Sequence, residues 1–251
     1  KYGGNVLIDR SVFNNFISDI NVLNKLGLSI IVVHGGGPRI KRELDKKKIV
    51  SKFINGLRVT DKKIVDTVEE VLIDFNNDIV NSLRKLGSEA TSFHTKSNNI
   101  IEVEPERKEL GFVGVPKKIN SNLIEDILKK NKIPIIAPLG LGKDKQTFNI
   151  NGDTAASAIA KKLKSRRLIL MTNVEGVYDD KKTLISEIKP FDIENLIKWK
   201  IVEGGMIPKI ENCVDAVENG VRGVVILDGR KPHSILYEIF SDTGSGTLIR
   251  K

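Results

Sequence analysis

Two glycine-rich segments, one of them ending in a lysine, are the residues of this chain best suited to chemistry. An apolar run at residues 31–33 continues directly into His34-Gly35-Gly36-Gly37-Pro38-Arg39. Far downstream, Gly204-Gly205-Met206-Ile207-Pro208-Lys209 opens another helical segment with the lysine in its first turn. Glycines followed by a proline at a helix start leave backbone N–H groups bare, and such helix ends bind anions. Lysine in a first turn costs about 0.3–1 kcal/mol unless an anion relieves it. Both segments therefore predict a phosphate ligand.

The first segment is neither a P-loop nor a dinucleotide-binding fingerprint, because it lacks both Gly-Lys-Ser/Thr and Gly-x-Gly-x-x-Gly. Three glycines after a strand can also form a plain tight turn. The buried strand before them and Pro38 after them favour an anion cradle. We expect His34 to pack this loop from the strand end rather than to act as an acid or a base.

Three further segments each allow a functional and an ordinary interpretation. Arg58 stands between a glycine turn and a helix cap, as either a solvated arginine or a bidentate clamp for a carboxylate. Asp153 is either the N-cap of an alanine-rich helix or, with Asn149, a cleft residue that holds lysine ammonium groups. Residues 172–178 follow a buried strand, as either a plain turn or a nucleotide-binding loop.

Helical and strand patterns alternate along the chain. Apolar residues at helical spacing over residues 12–26 stop at Gly27, and residues 28–33 resemble a strand buried on both faces. The other predicted helices are a long one capped by Thr60-Asp61 and closed at Gly87, one beginning at Ser121, and residues 154–163 and 208–217. Further predicted strands are short ones within residues 88–118, then residues 133–137, 168–171, 224–227 and 247–249. This alternation predicts a mainly parallel sheet covered on both faces, with ligands at the carboxyl ends of its strands.

Composition narrows the classes of protein that fit. The chain has 251 residues and a net charge of +9, but its lysines are scattered and aromatic residues are 5%. We therefore expect a lysine-rich solvated surface rather than a nucleic-acid interface. Cys213 is the one cysteine, which suits a reducing cytoplasm, and no apolar run approaches the ~20 residues that cross a bilayer. Because the sequence begins at Lys1 rather than methionine, we expect residues to precede it.

In their order, these segments resemble the amino acid kinase superfamily and, within it, the acetylglutamate kinases of arginine biosynthesis. The resemblance runs from Lys1-Tyr2-Gly3-Gly4 through residues 34–37, 56–60, 149–153 and 205–209 to residues 244–247. It implies an α/β fold, an open three-layer αβα sandwich with a mainly parallel central sheet, formed by a single domain. An N-terminal lobe, about residues 1–145, would bind the acyl amino acid and dimerise. A C-terminal lobe, about residues 146–251, would bind ATP. Residues 92–99 depart from the Gly-Lys-Asp-Gly-like turn of relatives.

The resemblance also implies catalytic residues. Lys1 and Lys209 would stabilise the transferring phosphoryl group, and Asp153 would order the two lysines. Gly36 and Gly37 would bring backbone N–H groups to the substrate and to the phosphoryl group.

Substrate and nucleotide residues follow from the same resemblance. Arg58 would clamp the α-carboxylate of N-acetyl-L-glutamate, and Asn149 would hold its other polar end. The residues implied for the nucleotide are Gly3, Gly4, Thr172, Asn173, Val174, Gly176, Val177, Tyr178, Gly205 and Met206.

The implied reaction is ATP-dependent phosphorylation of the side-chain carboxylate of N-acetyl-L-glutamate. That carboxylate, with a pKa of about 4.3, is already ionised at pH 7, so no general base is needed. Mg²⁺ would be bound through the ATP phosphates, with no metal ligands from the protein. The alternatives are an acetylaminoadipate-type kinase of lysine biosynthesis and a non-catalytic arginine-sensing domain.

Partners are implied as well. The enzyme would be a homo-oligomer, a dimer or a hexamer built as a trimer of dimers, without nucleic-acid or membrane partners. Residues 238–247 resemble the ending of the arginine-regulated branch, so arginine is expected as a feedback inhibitor, with Glu238 and Asp242 pairing its guanidinium. A plain polar hairpin is the other interpretation of this ending.

Overall fold

The computed structural model describes residues 1–3 and 9–251, so Gly4 lies outside the described residues. The helices are α1 (Arg10–Lys25), α2 (Gly37–Lys46), α3 (Lys62–Lys85), α4 (Ser121–Lys129), α5 (Gly152–Lys162), α6 (Ile193–Lys198), α7 (Met206–Glu218) and α8 (Ser234–Phe240). The strands are β1 (Val32–Val33), β2 (Phe53–Ile54), β3 (Leu57–Arg58), β4 (Ala90–Phe93), β5 (Ile101–Pro105), β6 (Gly114–Ile119), β7 (Ile133–Ile136), β8 (Leu139–Leu141), β9 (Thr147–Asn149), β10 (Leu168–Thr172), β11 (Glu187–Ile188), β12 (Val224–Asp228) and β13 (Thr247–Ile249). Among these described helices, none has the length and apolar character needed to cross a membrane.

The central sheet consists of two groups of strands that Lys1 and Tyr2 join. The first group has the order β4-β7-β1 and is parallel. The second has the order β10-β12-β13-β11, in which β12 and β13 are antiparallel. Tyr2 N donates to Val33 O (2.8 Å), and Met171 N donates to Lys1 O (3.0 Å). The sheet is therefore mainly parallel, which confirms the prediction from the sequence.

Successive residues of the central strands face opposite helical layers. Ile135 and Val225 pack into a core with residues of α1, α3 and α8. Their neighbours Ile136 and Val224 pack into a second core with residues of α4, α5 and α7. Such alternation is the period of two that a strand imposes on its side chains. The three-layer αβα sandwich is confirmed.

A second sheet and a hairpin lie beside the central sheet. The second sheet has the order β6-β5-β8-β9, and β2 with β3 forms the hairpin. Thr60 N donates to Leu110 O (3.0 Å), and Phe112 N donates to Thr60 O (2.7 Å). Because Asn149 N in turn donates to Phe112 O (2.9 Å), the hairpin is held close to the end of β9.

The strand predicted over residues 28–33 is shorter in the structure, and the prediction was wrong for residues 28–31. Gly27 takes a φ of +84°, and Leu28 N donates to Leu23 O (3.1 Å), so this part of the chain still closes α1. Only Val32 and Val33 are buried strand residues. The helices predicted to begin at residues 154 and 208 begin at residues 152 and 206.

Candidate active site

The glycine segment after β1 bends into α2 and leaves backbone N–H groups open. Gly36 is the N-cap residue, Gly37 is the first residue of α2, and Pro38 follows it. Neither the Gly36 nor the Gly37 N–H donates to an acceptor within residues 1–3 and 9–251. A Cβ on Gly37 would meet no described atom within 4 Å. This helix start therefore has the geometry of an anion site.

Asn151, not Asp153, is the N-cap residue of α5. Its Oδ1 accepts hydrogen bonds from Asp153 N (2.9 Å) and Thr154 N (3.1 Å). The capping interpretation of Asp153 is therefore wrong, because Asp153 is already the second residue of the helix that Asn151 caps. The Asp153 carboxylate is left to face other side chains.

Those side chains are two lysines from distant parts of the chain. Lys1 Nζ lies 3.0 Å from Asp153 Oδ1, and Lys209 Nζ donates a hydrogen bond to Asp153 Oδ2. The three side chains are only 12%, 17% and 18% exposed for Lys1, Asp153 and Lys209. Two ammonium groups against one carboxylate leave one net positive charge in a largely desolvated place. A ligand anion would compensate that charge.

The cluster fixes the ionisation of Asp153. Burial alone would raise its pKa, but Lys1 and Lys209 outweigh burial and hold the pKa well below its usual range. Since both carboxylate oxygens already face an ammonium group, Asp153 is suited to order the lysines rather than to move protons.

The Lys1 side chain runs between two glycines and meets the glycine segment there. A Cβ on Gly3 would overlap Lys1 Cε and Nζ. A Cβ on Gly152 would lie 3.1 Å from Lys1 Cε and 3.9 Å from Gly35 Cα. Lys1, the start of α5 and the glycine segment are therefore one site, and Gly3 lies against the lysine.

The start of α7 presents its lysine, and a tight turn satisfies part of its N–H groups. The Met206 and Ile207 N–H groups donate to carbonyl oxygens three residues earlier, at 3.1 and 3.2 Å, and Pro208 has none. Bare N–H groups were predicted here; the turn satisfies those of Met206 and Ile207, whereas the Gly205 N–H has no acceptor among the described residues. Gly204 takes a φ of +54° in this turn, and Gly205 is the N-cap residue. Met206 is half-buried against the core.

Arg58 is a buried guanidinium with no carboxylate at ion-pair distance among the described residues. It is 9% exposed, its Nη1 donates to Ser51 Oγ, and its Cζ lies 4.7 Å from the centre of the Phe53 ring. Burial lowers the pKa of Arg58. The solvated interpretation of Arg58 is therefore wrong. A desolvated, unpaired guanidinium on a ring is suited to a planar carboxylate.

Asn149 links the Arg58 hairpin to the lysine cluster. Its backbone pairs with Phe112, which in turn pairs with Thr60, two residues after Arg58. The Asn149 side chain is half-buried and makes no hydrogen bond within the described part of the chain. From Asn149 the chain leads within four residues to Asp153.

Residues 172–178 leave the carboxyl end of β10 beside the end of β12. Thr172 is in register with Asp228, and Arg230 Nη2 donates to Asn173 O (2.9 Å). Arg230 also holds Asp228 bidentately, through Nε to Oδ1 (3.0 Å) and Nη2 to Oδ2 (2.7 Å). Neither Asp228 nor Arg230 was among the residues predicted for the site. The signal was an aspartate at the end of a predicted strand.

The residues implied for the nucleotide differ in what they can offer. The Val177 side chain lies in the core, and its N–H donates to Thr247 Oγ1 (2.8 Å). A Cβ on Gly176 would overlap Thr247, so close packing requires glycine there. Val174 is half-buried, and Tyr178 is exposed. Within this segment, Thr172, Asn173, Val174 and Tyr178 have side chains that reach the surface.

His34 is completely buried beneath the glycine segment. Its Nδ1 lies 2.9 Å from Gly35 O, and its ring meets Phe75 edge-on at 5.0 Å between centres. Burial lowers the pKa of His34 to about 4, so the ring is neutral at pH 7. It packs the loop, as expected.

A family model described as the amino acid kinase family matches residues 1–228. The chain belongs to this family. It is 55% identical to the acetylglutamate kinase of Pelagibacter ubique over all of this chain and 87% of that one. It is 48% identical to the acetylglutamate kinase of Clostridioides difficile over all of this chain and 90% of that one. Among solved structures, the smu.665 protein of Streptococcus mutans has a TM-score of 0.83 at 32% identity, covering 99% of this chain and 96% of that one.

Proposed function

We propose that this protein transfers the γ-phosphoryl group of ATP to the side-chain carboxylate of N-acetyl-L-glutamate. The products are N-acetylglutamyl 5-phosphate and ADP. The observation that carries the proposal is the cluster of Lys1, Asp153 and Lys209 against the glycine segment. Similarity over the whole chain to proteins named acetylglutamate kinase supports the identity of the acceptor.

The reaction needs charge neutralisation more than proton transfer. A carboxylate oxygen attacks the γ-phosphorus, the bond from phosphorus to the β-phosphate bridging oxygen breaks, and ADP leaves with that electron pair. The acceptor is already ionised, with a free pKa of about 4.3, and no proton moves. A site with a neutral buried His34 and an Asp153 that is ionised at pH 7 suits such a reaction.

The positive charge of the cluster is the stabilising element. Negative charge spreads over the equatorial oxygens as the phosphoryl group moves between acceptor and ADP. The ammonium groups of Lys1 and Lys209 and the open N–H groups of Gly36 and Gly37 would meet that charge. Asp153 keeps the lysines in place, so little reorganisation is needed at the moment of transfer.

Substrate positioning falls to the Arg58 hairpin and β9. We assign the α-carboxylate to the Arg58 guanidinium, because it is buried without an acidic partner among the described residues. Asn149, on the adjoining backbone segment, would hold the other polar end. These contacts fix the acceptor in line with ATP, and such positioning contributes strongly to rate.

The nucleotide would lie along residues 172–178 and the start of α7, with Gly3, Gly4, Gly205 and Met206 nearby. Within residues 1–3 and 9–251, no group of three acidic, histidine or cysteine side chains could hold a metal ion. Mg²⁺ would be carried on the ATP phosphates and water, as this ion commonly is. It would supply further charge neutralisation there.

The remaining parts of the proposal concern assembly and regulation. The N-terminal lobe, about residues 1–145, would bind the acceptor and dimerise, and the C-terminal lobe, about residues 146–251, would bind ATP. We also propose that the protein forms dimers or hexamers and acts in the cytoplasm. Arginine would act as inhibitor near residues 238–247, where a cavity of about 550 Å³ is lined by Lys231, His233, Tyr237 and Gly244 among others. Glu238 Oε2 accepts from Ser245 N (2.7 Å) and shapes this turn.

A coupled ADP assay, with hydroxamate trapping of the acyl phosphate, tests the function. N-acetyl-L-glutamate, L-glutamate and N-acetyl-L-aminoadipate would be compared at equal concentrations. We expect N-acetyl-L-glutamate to give the highest kcat/KM and a hydroxamate product. If N-acetyl-L-aminoadipate were preferred, the proposed acceptor would be wrong, but phosphorylation of a side-chain carboxylate would stand. If none of the three compounds supported ADP formation, the proposed function would be overturned.

A further inference from the structure

Beneath the glycine segment, a chain of buried polar groups links β4, α3 and His34. Ser92 Oγ donates to Asn76 Oδ1, and Asn76 Nδ2 donates to Ile135 O at 2.9 Å and lies 3.1 Å from His34 Nε2. His34 Nδ1 lies 2.9 Å from Gly35 O. Asn76 and His34 are both fully buried. Each link joins a donor to an acceptor, so the direction of the whole chain can be derived.

The carbonyl group of Ile135 fixes the orientation of the Asn76 amide. A carbonyl oxygen can only accept, so the amide must turn its Nδ2 toward Ile135 and its Oδ1 toward the Ser92 hydroxyl. Nδ2 carries two protons. One goes to Ile135 O, and the other points at His34 Nε2.

The tautomer of His34 follows from that orientation. Because Nε2 accepts from Asn76, the single proton of the neutral ring must be on Nδ1. Nδ1–H then donates to Gly35 O. The opposite tautomer would set Nε2–H against an N–H donor and the Nδ1 lone pair against a carbonyl oxygen, losing two buried hydrogen bonds.

Gly35 O matters because it belongs to the same peptide group as the Gly36 N–H. In a planar trans peptide, C=O and N–H point in opposite directions. Holding Gly35 O on the buried side therefore turns the Gly36 N–H toward the open side. That N–H is one of the donors without an acceptor among the described residues.

We propose that Asn76 is a positioning residue: through the Nδ1–H tautomer of His34, it orients the Gly36 N–H toward the transferring phosphoryl group. The orientation part rests on the hydrogen bonds alone, and the phosphoryl part rests on the proposed function. Two separate readouts therefore test it.

The first readout is nuclear magnetic resonance of the full chain labelled with ¹⁵N and ¹³C in histidine. The chain has three histidines, so His34 can be assigned by replacing His94 and His233 in turn. We expect long-range ¹H–¹⁵N correlations of the Nδ1–H tautomer, unchanged between pH 5.5 and pH 8. In Asn76→Asp, an acceptor replaces the donor, and the proton should move to Nε2. An Nε2–H form or an imidazolium in the unaltered protein at pH 7 would overturn the proposal, whatever the activity.

The second readout compares two neutral replacements of His34. His34→Asn keeps an N–H donor where Nδ1 stands, whereas His34→Gln places its amide near Nε2 and leaves Gly35 O without a donor. We expect kcat of His34→Gln to fall about 10- to 100-fold with little change in KM for ATP, and His34→Asn to recover about tenfold of that loss. Equal kcat values, with both variants folded, would overturn the positioning role. Absence of kinase activity in the unaltered protein would instead refute the proposed function and leave the tautomer result standing.

Discussion

Two ion clusters join α5 to α7. One of them carries a net positive charge, and the other is neutral. At the front, near both helix N-termini, Asp153 holds Lys209 and Lys1. At the rear, Lys161 pairs with Asp215 at 2.5 Å, and Asn219 also donates to Asp215. In each cluster, the helix dipoles favour one of the two helical charges and disfavour the other. Interactions with the dipoles therefore do not distinguish the two clusters.

Stoichiometry and burial do separate the two clusters. The rear pair is neutral, and its side chains are 31% and 48% exposed. The front cluster carries an extra positive charge in a place that is less than a fifth exposed. An exposed neutral pair stabilises a fold by about 0–1 kcal/mol and needs nothing more. A buried excess positive charge is suited to the reversible binding of an anionic ligand. The rear pair therefore serves as an internal control for the front cluster.

The largest expected effect comes from removing one lysine from each cluster. Lys209→Ala should lower kcat by roughly 10²–10³ with little change in nucleotide Kd, because the lysine meets charge that develops during transfer. Lys209→Arg should restore little of the lost kcat, since a planar guanidinium group does not replace a compact ammonium group. Steady-state kinetics and nucleotide titration measure both.

Lys161→Ala is the matched control, because it removes a lysine paired to an aspartate across the same two helices. Its kcat should stay within about twofold of the unaltered protein, as for a surface pair. If Lys209→Ala instead weakened ATP binding at unchanged kcat, the assigned role of the front cluster would be wrong.

Arg58→Ala should produce the next largest effect, and on the acceptor alone. Losing a bidentate charged contact costs on the order of 2–4 kcal/mol, so KM for N-acetyl-L-glutamate should rise about 30- to 1,000-fold. Initial rates with each substrate varied in turn measure this. Arg58→Lys, which keeps the charge but not the fork, should recover only part of the loss. Equal increases in both KM values would exclude Arg58 as the carboxylate clamp.

Two alanine substitutions in the glycine segment should separate function from stability. A Cβ on Gly37 meets no described atom, so Gly37→Ala should leave the unfolding free energy unchanged or slightly higher while kcat/KM falls about tenfold. A Cβ on Gly36 would run into Leu72 Cδ2, so Gly36→Ala should also lower stability. Urea unfolding beside kinetics tests the pair. Full activity of Gly37→Ala would show that the open space does not receive a ligand.

The smallest expected effect is the dependence of stability on pH. Lys1 and Lys209 keep the folded-state pKa of Asp153 below its unfolded value, despite the opposing effect of burial. Its stabilisation is therefore complete above about pH 4 and is lost as the pH falls toward the folded-state pKa. Asp153→Asn should cost about 1–3 kcal/mol at pH 7 and progressively less below about pH 4. A difference that stayed constant down to pH 3 would contradict the ion cluster.

Local sequence patterns predicted most of the helices and strands. This is because the periodicity of apolar residues and the helix caps depend on residues that are close in the sequence. Asp61 does cap α3, accepting from Ile64 N at 2.9 Å. The strand over residues 28–33 failed, since apolar character alone does not say where the turn after Gly27 ends. Asp153 was predicted as the cap of α5 where Asn151 caps it, and spacing cannot distinguish them, because both residue types are good caps.

Contacts between distant residues were beyond local patterns. That Lys1 and Lys209 meet one carboxylate depends on the packing of α5, α7 and the central sheet. The residues around Asp153 suggested that it could hold lysines, but only the family resemblance identified which ones. Asn76 was not identified from the sequence, because neighbouring residues do not show that it is fully buried against His34. The contact of Arg230 with the carbonyl oxygen of Asn173 likewise appears only in the fold.

The most direct test of the front cluster is its affinity for a mimic of the phosphoryl group in transfer. The Kd of the ADP–aluminium fluoride complex, with Mg²⁺ and N-acetyl-L-glutamate, would be measured for the unaltered protein, Lys209→Ala and Lys161→Ala. A non-hydrolysable ATP analogue gives the ground-state comparison. We expect Lys209→Ala to weaken the mimic by roughly 10²–10³, matching its loss in kcat, with the analogue nearly unaffected and Lys161→Ala unchanged. Equal weakening of mimic and analogue, or an equal effect of Lys161→Ala, would contradict the account.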